Sequence, residues 1–160
     1  MHENIENQEI IERFYAAFNN GDYKTMQDLY HPAATFSDPV FRDMNAKETR
    51  AMWQMLVTSG KDLKVTVSNV KGDVLGGTCH WEAVYTFSTT GRVVHNKIDA
   101  RFEIANGKIL RHEDNFNLHK WSRMAFGLTG AIAGWTPFFK KKIRETAEKR
   151  LAGFMRRNAL

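Results

Sequence analysis

From Leu63 to Leu118 the chain alternates, and that alternation is its strongest constraint on fold. Leu63, Val65 and Val67 alternate with Lys64, Thr66 and Ser68. Cys79, Trp81, Ala83, Tyr85 and Phe87 alternate with His80, Glu82, Val84 and Thr86. Val94, Asn96, Ile98, Ala100, Phe102 and Ile104 share a third face; Leu110, His112, Asp114, Phe116 and Leu118 share a fourth. A period of two belongs to strands with one buried face. Gly76-Gly77, Thr89-Thr90-Gly91-Arg92 and Asn106-Gly107 separate the runs. Asn-Gly is the strongest of these hairpin signals, because both residues tolerate positive φ. Consecutive runs joined by tight turns pair antiparallel, so the reading is a long antiparallel meander.

Helical patterns precede it. Ile5 to Phe18 carries Ile10, Ile11, Phe14, Tyr15 and Phe18 at helical spacing, and Asn19-Asn20-Gly21 ends it. Asp22 caps a second helix with Met26, Leu29 and Tyr30 inward, stopped by His31-Pro32. Ala46 to Ser59 is a third, with Met52, Trp53, Met55 and Leu56 on its apolar side and Gly60 as its stop. Helices first and a meander afterwards predict an α+β fold. With 160 residues, 42% of them hydrophobic, the chain has enough material for one sizeable core. There is no internal repeat and no linker. Residues 1–120 are read as the domain and 121–160 as its C-terminal helical extension.

Composition narrows the function classes. Cys79 is the only cysteine, the N-terminus is polar and acidic, and no apolar run spans a bilayer; the expected location is the cytoplasm. The net charge of +5 is concentrated in Lys140–Arg157, which argues against a chain built to grip nucleic acid. In that tail Phe139, Ile143, Ala147, Leu151 and Met155 recur every four residues among lysines and arginines. Such a stripe is expected to pack on the chain's own core. An anionic membrane surface or a partner is the alternative use of the basic face.

The candidate chemistry starts at His31-Pro-Ala-Ala-Thr-Phe-Ser-Asp-Pro-Val40. Alternation puts Asp38 on a face with Ala34, Phe36 and Val40. A carboxylate buried there has its pKa raised and becomes a base or acid that works near neutral pH. The alternative is a turn Asp before Pro. Asn96, His112 and Asp114 also interrupt inward apolar runs. His112 and Asp114 lie two apart on one strand and point the same way, so the carboxylate can orient the imidazole. No Gly-rich phosphate loop, no Gly-x-Ser-x-Gly elbow and no metal-ligand spacing is present. His119 lies on the opposite face from His112 by parity, and His2, His80 and His95 read as surface residues. No metal and no cofactor is expected.

The runs Arg13-Phe-Tyr-Ala-Ala-Phe-Asn-Asn-Gly-Asp22, His31 to Val40, Ile98-Asp99, Asn106-Gly-Lys-Ile109 and Arg111-His-Glu-Asp114 resemble the nuclear-transport-factor-2-like superfamily. Its SnoaL-like and ketosteroid-isomerase-like branches are the most similar, over roughly Ile5 to Leu118. The resemblance implies a curved antiparallel sheet wrapped by N-terminal helices into a cone with an internal pocket, and a homodimer. It matches the isomerase's general-base Asp to Asp38 and its oxyanion-hole Asp to Asp99. The isomerase's oxyanion-hole Tyr falls on Phe14, which has no hydroxyl. The acid/base Asp of SnoaL-type polyketide cyclases matches Asp114. By parity Asp99 shares a face with Lys97, Arg101 and Glu103, so only a bulge would turn it inward.

The combined expectation is a small cofactor-independent enzyme. It would perform isomerisation, cyclisation or dehydration by proton transfer on an apolar, carbonyl-containing small molecule. Asp38, His112 and Asp114 are the candidate catalytic residues. Tyr15, Tyr30, Trp53, Trp81, Asn96 and Asp99 are the candidate pocket residues. A non-catalytic ligand-binding or interaction module of the same fold is the alternative.

Overall fold

The computed structural model describes residues Met1–Leu160. Helices α1 (His2–Asn19) and α2 (Tyr23–Asp28), strand β1 (Tyr30–Ser37) and helix α3 (Ala46–Ser59) come first. Strands β2 (Lys64–Gly72), β3 (Gly76–Phe87), β4 (Arg92–Ala105) and β5 (Lys108–Asn115) follow. Helices α4 (Leu118–Phe126), α5 (Leu128–Ala133) and α6 (Pro137–Arg157) complete the chain. Local chemistry sets several of these ends. The Asp22 carboxylate accepts from the Thr25 amide at 3.1 Å, Asn45 and Glu48 form a reciprocal capping box, and Thr136 caps α6 ahead of Pro137.

The sheet is curved and unclosed, in the order β1-β5-β4-β3-β2. Strands β2 to β5 form the expected antiparallel meander. At its last turn Asn106 and Gly107 take φ of 53° and 71°, the left-handed pair that a two-residue hairpin of this twist needs. One edge departs from the expectation: β1 pairs parallel with β5. Residues 38–107 separate the two strands, which is the long connection a parallel pair requires. Pro32 lacks an N–H, and an edge strand tolerates it; the register shifts between Tyr30 and Thr35. Tyr30 therefore opens a strand and does not close a helix. The strand stops at Ser37, so Asp38 stands in the turn beyond it, not on the strand face.

Burial alternates along β4 from Val94 to Phe102. Val94, Asn96, Ile98, Ala100 and Phe102 face inward, while Lys97, Asp99 and Arg101 face outward. Helices α1 and α3 bring Ile11, Phe14, Tyr15, Phe18, Met52, Trp53 and Met55 against Trp81 and Phe102. Tyr85, expected to be buried, is half-buried. Phe14 packs edge-on to Trp53 and Tyr30, with ring centroids 5.4 and 5.7 Å away. The concave face is thus filled with rings. Strand β5 ends at Asn115, short of its sequence alternation, because Asn117 caps α4; His119 consequently sits on a helix.

The basic tail folds back, and α6 packs along α3. Leu151 joins the main core, with Ala147, Phe154 and Met155 packed against it. Phe139 and Ile143, expected to be buried, are half-buried. No helix is long and apolar enough to cross a membrane. A chain ending at Trp135 should expose the apolar contact between α6 and α3 and aggregate. Sedimentation and thermal unfolding check this; a soluble, equally stable truncation contradicts it.

Candidate active site

Five side chains from four elements meet in one buried polar network. Trp53 Nε1 on α3 donates to the Tyr30 hydroxyl on β1 at 2.8 Å. That hydroxyl lies 2.7 Å from His112 Nδ1, and His112 Nε2 lies 2.9 Å from an Asp114 carboxylate oxygen. Trp81 Nε1 on β3 donates to the same oxygen at 3.3 Å. One assignment of protons satisfies every group. Tyr30 accepts from Trp53 and donates to His112 Nδ1, and a neutral imidazole donates from Nε2 to the carboxylate. The alternation of β5 puts His112 and Asp114 on one face, and the rings of Phe36 and Phe102 enclose His112 at 5.0 and 4.2 Å. The His112 side chain has no solvent exposure.

Asp38 lies where β1 gives way to Pro39. One carboxylate oxygen accepts from the amides of Val40 and Phe41 at 2.7 and 2.6 Å, and the Asp38 amide donates to the Phe41 carbonyl at 2.7 Å. The turn reading of this residue is therefore correct. Burial pushes its pKa up to about 7, against the lowering pull of the two amides, and the charge of Asp114 adds to the rise. Asp38 and Asp114 both border an open cavity of about 690 Å³. Arg42 from the turn, His119 from α4, and Lys140 and Arg144 from α6 also line it.

Residues 11–112 match the family model of the SnoaL-like domain. The chain belongs to this family. Solved structures share the fold of this SnoaL-like domain at low identity. An epoxide hydrolase of the LEH-like type from M. tuberculosis is 16% identical, with a TM-score of 0.62, over 82% of this chain and 96% of that one. Bal32a, from a soil-derived mobile gene cassette, is 22% identical, with a TM-score of 0.67, over 77% and 98%. A Jannaschia sp. CCS1 protein assigned as a SnoaL-like polyketide cyclase is 12% identical, with a TM-score of 0.68, over 79% and 96%. None of the curated proteins compared matches the sequence.

Within this SnoaL-like domain the candidate residues separate into four places. Asp38 and Asp114 border the cavity, and His112 stands behind Asp114, reaching the cavity only through it. Tyr30, Trp53 and Trp81 hold the network in place and do not line the cavity. Asn96 and Tyr15 are buried away from it. The Tyr15 hydroxyl has no hydrogen-bond partner; burial, then the charge of Asp114, pushes its pKa well up. Asp99 is on the outer face, as parity indicates. Its side chain is 81% exposed and lies 2.9 Å from His80 Nδ1, with no bulge to turn it toward the concave side. His80, read as a surface residue, is half-buried there, and its hydrogen bond to Asp99 raises its pKa. The pocket was expected to be apolar, but the hydrophobic wall of the cavity is limited to Phe116 and Leu118. The rings expected to line it fill the core instead.

Sequence reasoning did not select Arg42, His119, Lys140 or Arg144. Lys140 and Arg144 lie beyond the matched span, in the extension. Their one signal was the spacing of four residues, which puts them on one edge of α6. Arg144 Nε donates to the Pro39 carbonyl at 2.9 Å, so α6 is fastened to the turn that carries Asp38.

Proposed function

We propose that this SnoaL-like domain is an acid/base enzyme acting on a carbonyl-containing small molecule. Asp38 removes a proton from the carbon next to the carbonyl. The C–H bonding pair moves into the enolate, and the proton rests on the Asp38 carboxyl until it returns to another carbon. Asp114 is the second carboxyl group at the substrate. His112 is a positioning residue, holding Asp114 through Nε2 while Tyr30 fixes the ring. Isomerisation, cyclisation and dehydration all share this first step. One observation carries the reading: a carboxyl group with a pKa of about 7 at the wall of a cavity that a second carboxyl also borders. A base with that pKa is partly ionised near neutral pH and still accepts a proton readily.

The bonds from Val40 and Phe41 to Asp38 favour a second reading, a ligand-binding module in which Asp38 only shapes the turn. Carbon-detected NMR titration of Asp38, with hydrogen–deuterium exchange of ketone substrates, separates the two. The enzyme reading expects a titration near neutral pH. It also expects Asp38→Asn to slow exchange by on the order of a hundredfold while ligand still binds. An Asp38 that titrates near pH 4, with exchange unchanged in Asp38→Asn, overturns it.

A further inference from the structure

Three cations border the cavity, and none of them has an acidic partner. Arg42, Lys140 and Arg144 line the site, yet they are absent from the ion pairs of the chain, which use His2, His80, His95, Lys97, Arg111, His112 and Lys141. The acids that share the cavity are engaged elsewhere. Glu113 faces Arg111 at 2.5 Å, Asp114 is held by His112 and Trp81, and Asp38 accepts from two backbone amides.

Like charges are also gathered here. Burial, and then the charge of Arg42, hold the Arg144 guanidinium below its usual pKa. Bringing two guanidinium groups near one another costs free energy unless an anion sits between them. Arg144 spends its Nε on the Pro39 carbonyl and keeps its two terminal nitrogens, which make no bond within the chain. A guanidinium fixed this way is pre-organised to grip a carboxylate or phosphate oxygen.

We propose that Arg42, Lys140 and Arg144 form an anion-binding subsite, so that the ligand of this cavity is a carboxylate- or phosphate-bearing carbonyl compound. The inference rests on the acid/base reading for the carbonyl, but not for the anion. Arg42 belongs to the Asp38 turn, and Arg144 is bonded to it at the Pro39 carbonyl. A ligand anchored there by its anionic group presents its remaining atoms to Asp38 and Asp114. The cations also reduce the cost of the negative charge that develops when Asp38 takes a proton. The C-terminal extension thereby becomes part of the binding site, supplying two of its three cations.

The test uses 4-acetylbenzoate and its methyl ester, which share a ring and a ketone and differ by one charge, with inorganic phosphate as a competitor. Binding is followed by calorimetry and by amide shifts of the Asp38 turn, and enolisation by exchange of the acetyl protons in deuterated water. The acid should bind at least about tenfold more tightly than the ester. Phosphate should displace it, and Arg144→Gln should erase the preference. Arg42 is exposed, so Arg42→Gln should weaken acid binding without disturbing the fold, even where Arg144→Gln loosens α6. Asp38→Asn should keep the preference and lose the exchange. Binding of phosphate itself, without binding of the acid, supports a phosphate-bearing ligand over a carboxylate. Equal binding of acid and ester overturns the subsite, and so does failure of both acid and phosphate to bind at millimolar concentration. Tight, cation-dependent acid binding with no exchange upholds the subsite and overturns the enzymatic reading instead.

Discussion

Replacing His112 with Phe should destabilise the domain by about 3 kcal/mol, although the site is apolar in outline and a ring is put back. The loss comes from the partners that remain. Tyr30 loses the acceptor that lies 2.7 Å away. Asp114 loses the donor at 2.9 Å and keeps only the longer bond from Trp81, although its side chain is 3% exposed. A buried carboxylate stripped of its main donor is far costlier than the missing bond itself. His112→Ala should cost more, because it also leaves a void among Phe14, Phe36 and Phe102. Tyr30→Phe alone should cost roughly 1–3 kcal/mol, since it orphans both Trp53 Nε1 and His112 Nδ1. The double variant His112→Phe with Tyr30→Phe should cost less than the sum, because the second change removes a hydroxyl donor that the first left without its acceptor. Urea unfolding at pH 7 measures all four. A His112→Phe variant within 0.5 kcal/mol of the parent, the range of an ordinary surface change, would show that the network contributes nothing.

How far this arrangement was readable in the sequence differs from one residue to the next. Asp99 was matched to a catalytic residue by resemblance, yet the unbroken alternation of β4 sends it outward. There the local period was the better guide, because a one-residue change of face needs a bulge and β4 has none near it. Asp38 was placed on a strand by the same logic, and there the period misled. Pro39 ends the ladder, and the Asp side chain replaces the missing strand bonds with two to the turn amides. The parallel pairing of β1 with β5 was not legible at all, since alternation reports faces and not strand order. The polar cavity was invisible for a similar reason. It is assembled from a turn, the end of β5 and a helix that begins more than twenty residues later, and only the docking of α6 on α3 brings Lys140 and Arg144 there. Trp53, Trp81 and Tyr30 were correctly sent inward. That they would fill the interior, rather than line a hollow one, depends on how tightly α1 and α3 close on the sheet, and periodicity does not encode that.

Asp38→Asn should make the protein more stable at pH 8 than the parent, and the advantage should vanish toward pH 4. The folded Asp38 carboxyl titrates at about 7, against 3.8 for an ordinary one. Between those values the native state holds a proton that the unfolded chain has released. More protons bound in the native state means that stability falls as pH rises through this window. Above pH 7 the parent carries the full penalty of a carboxylate held out of water. Each pKa unit corresponds to about 1.4 kcal/mol. The Asp38 side chain is only half-buried beside an open cavity, so solvent screening reduces the whole to roughly 2 kcal/mol. Asparagine removes that penalty and keeps the turn, because its amide oxygen still accepts from Val40 and Phe41. The expected result is a parent whose urea midpoint declines from pH 4 to pH 8 and a variant whose midpoint declines less, the curves meeting at the acid end. Parallel curves would mean that Asp38 titrates as an ordinary carboxyl, and the base would then have to be sought elsewhere in the cavity. A variant that gains stability while losing proton exchange would mark Asp38 as a position where folding free energy is given up to hold a charge the chemistry needs.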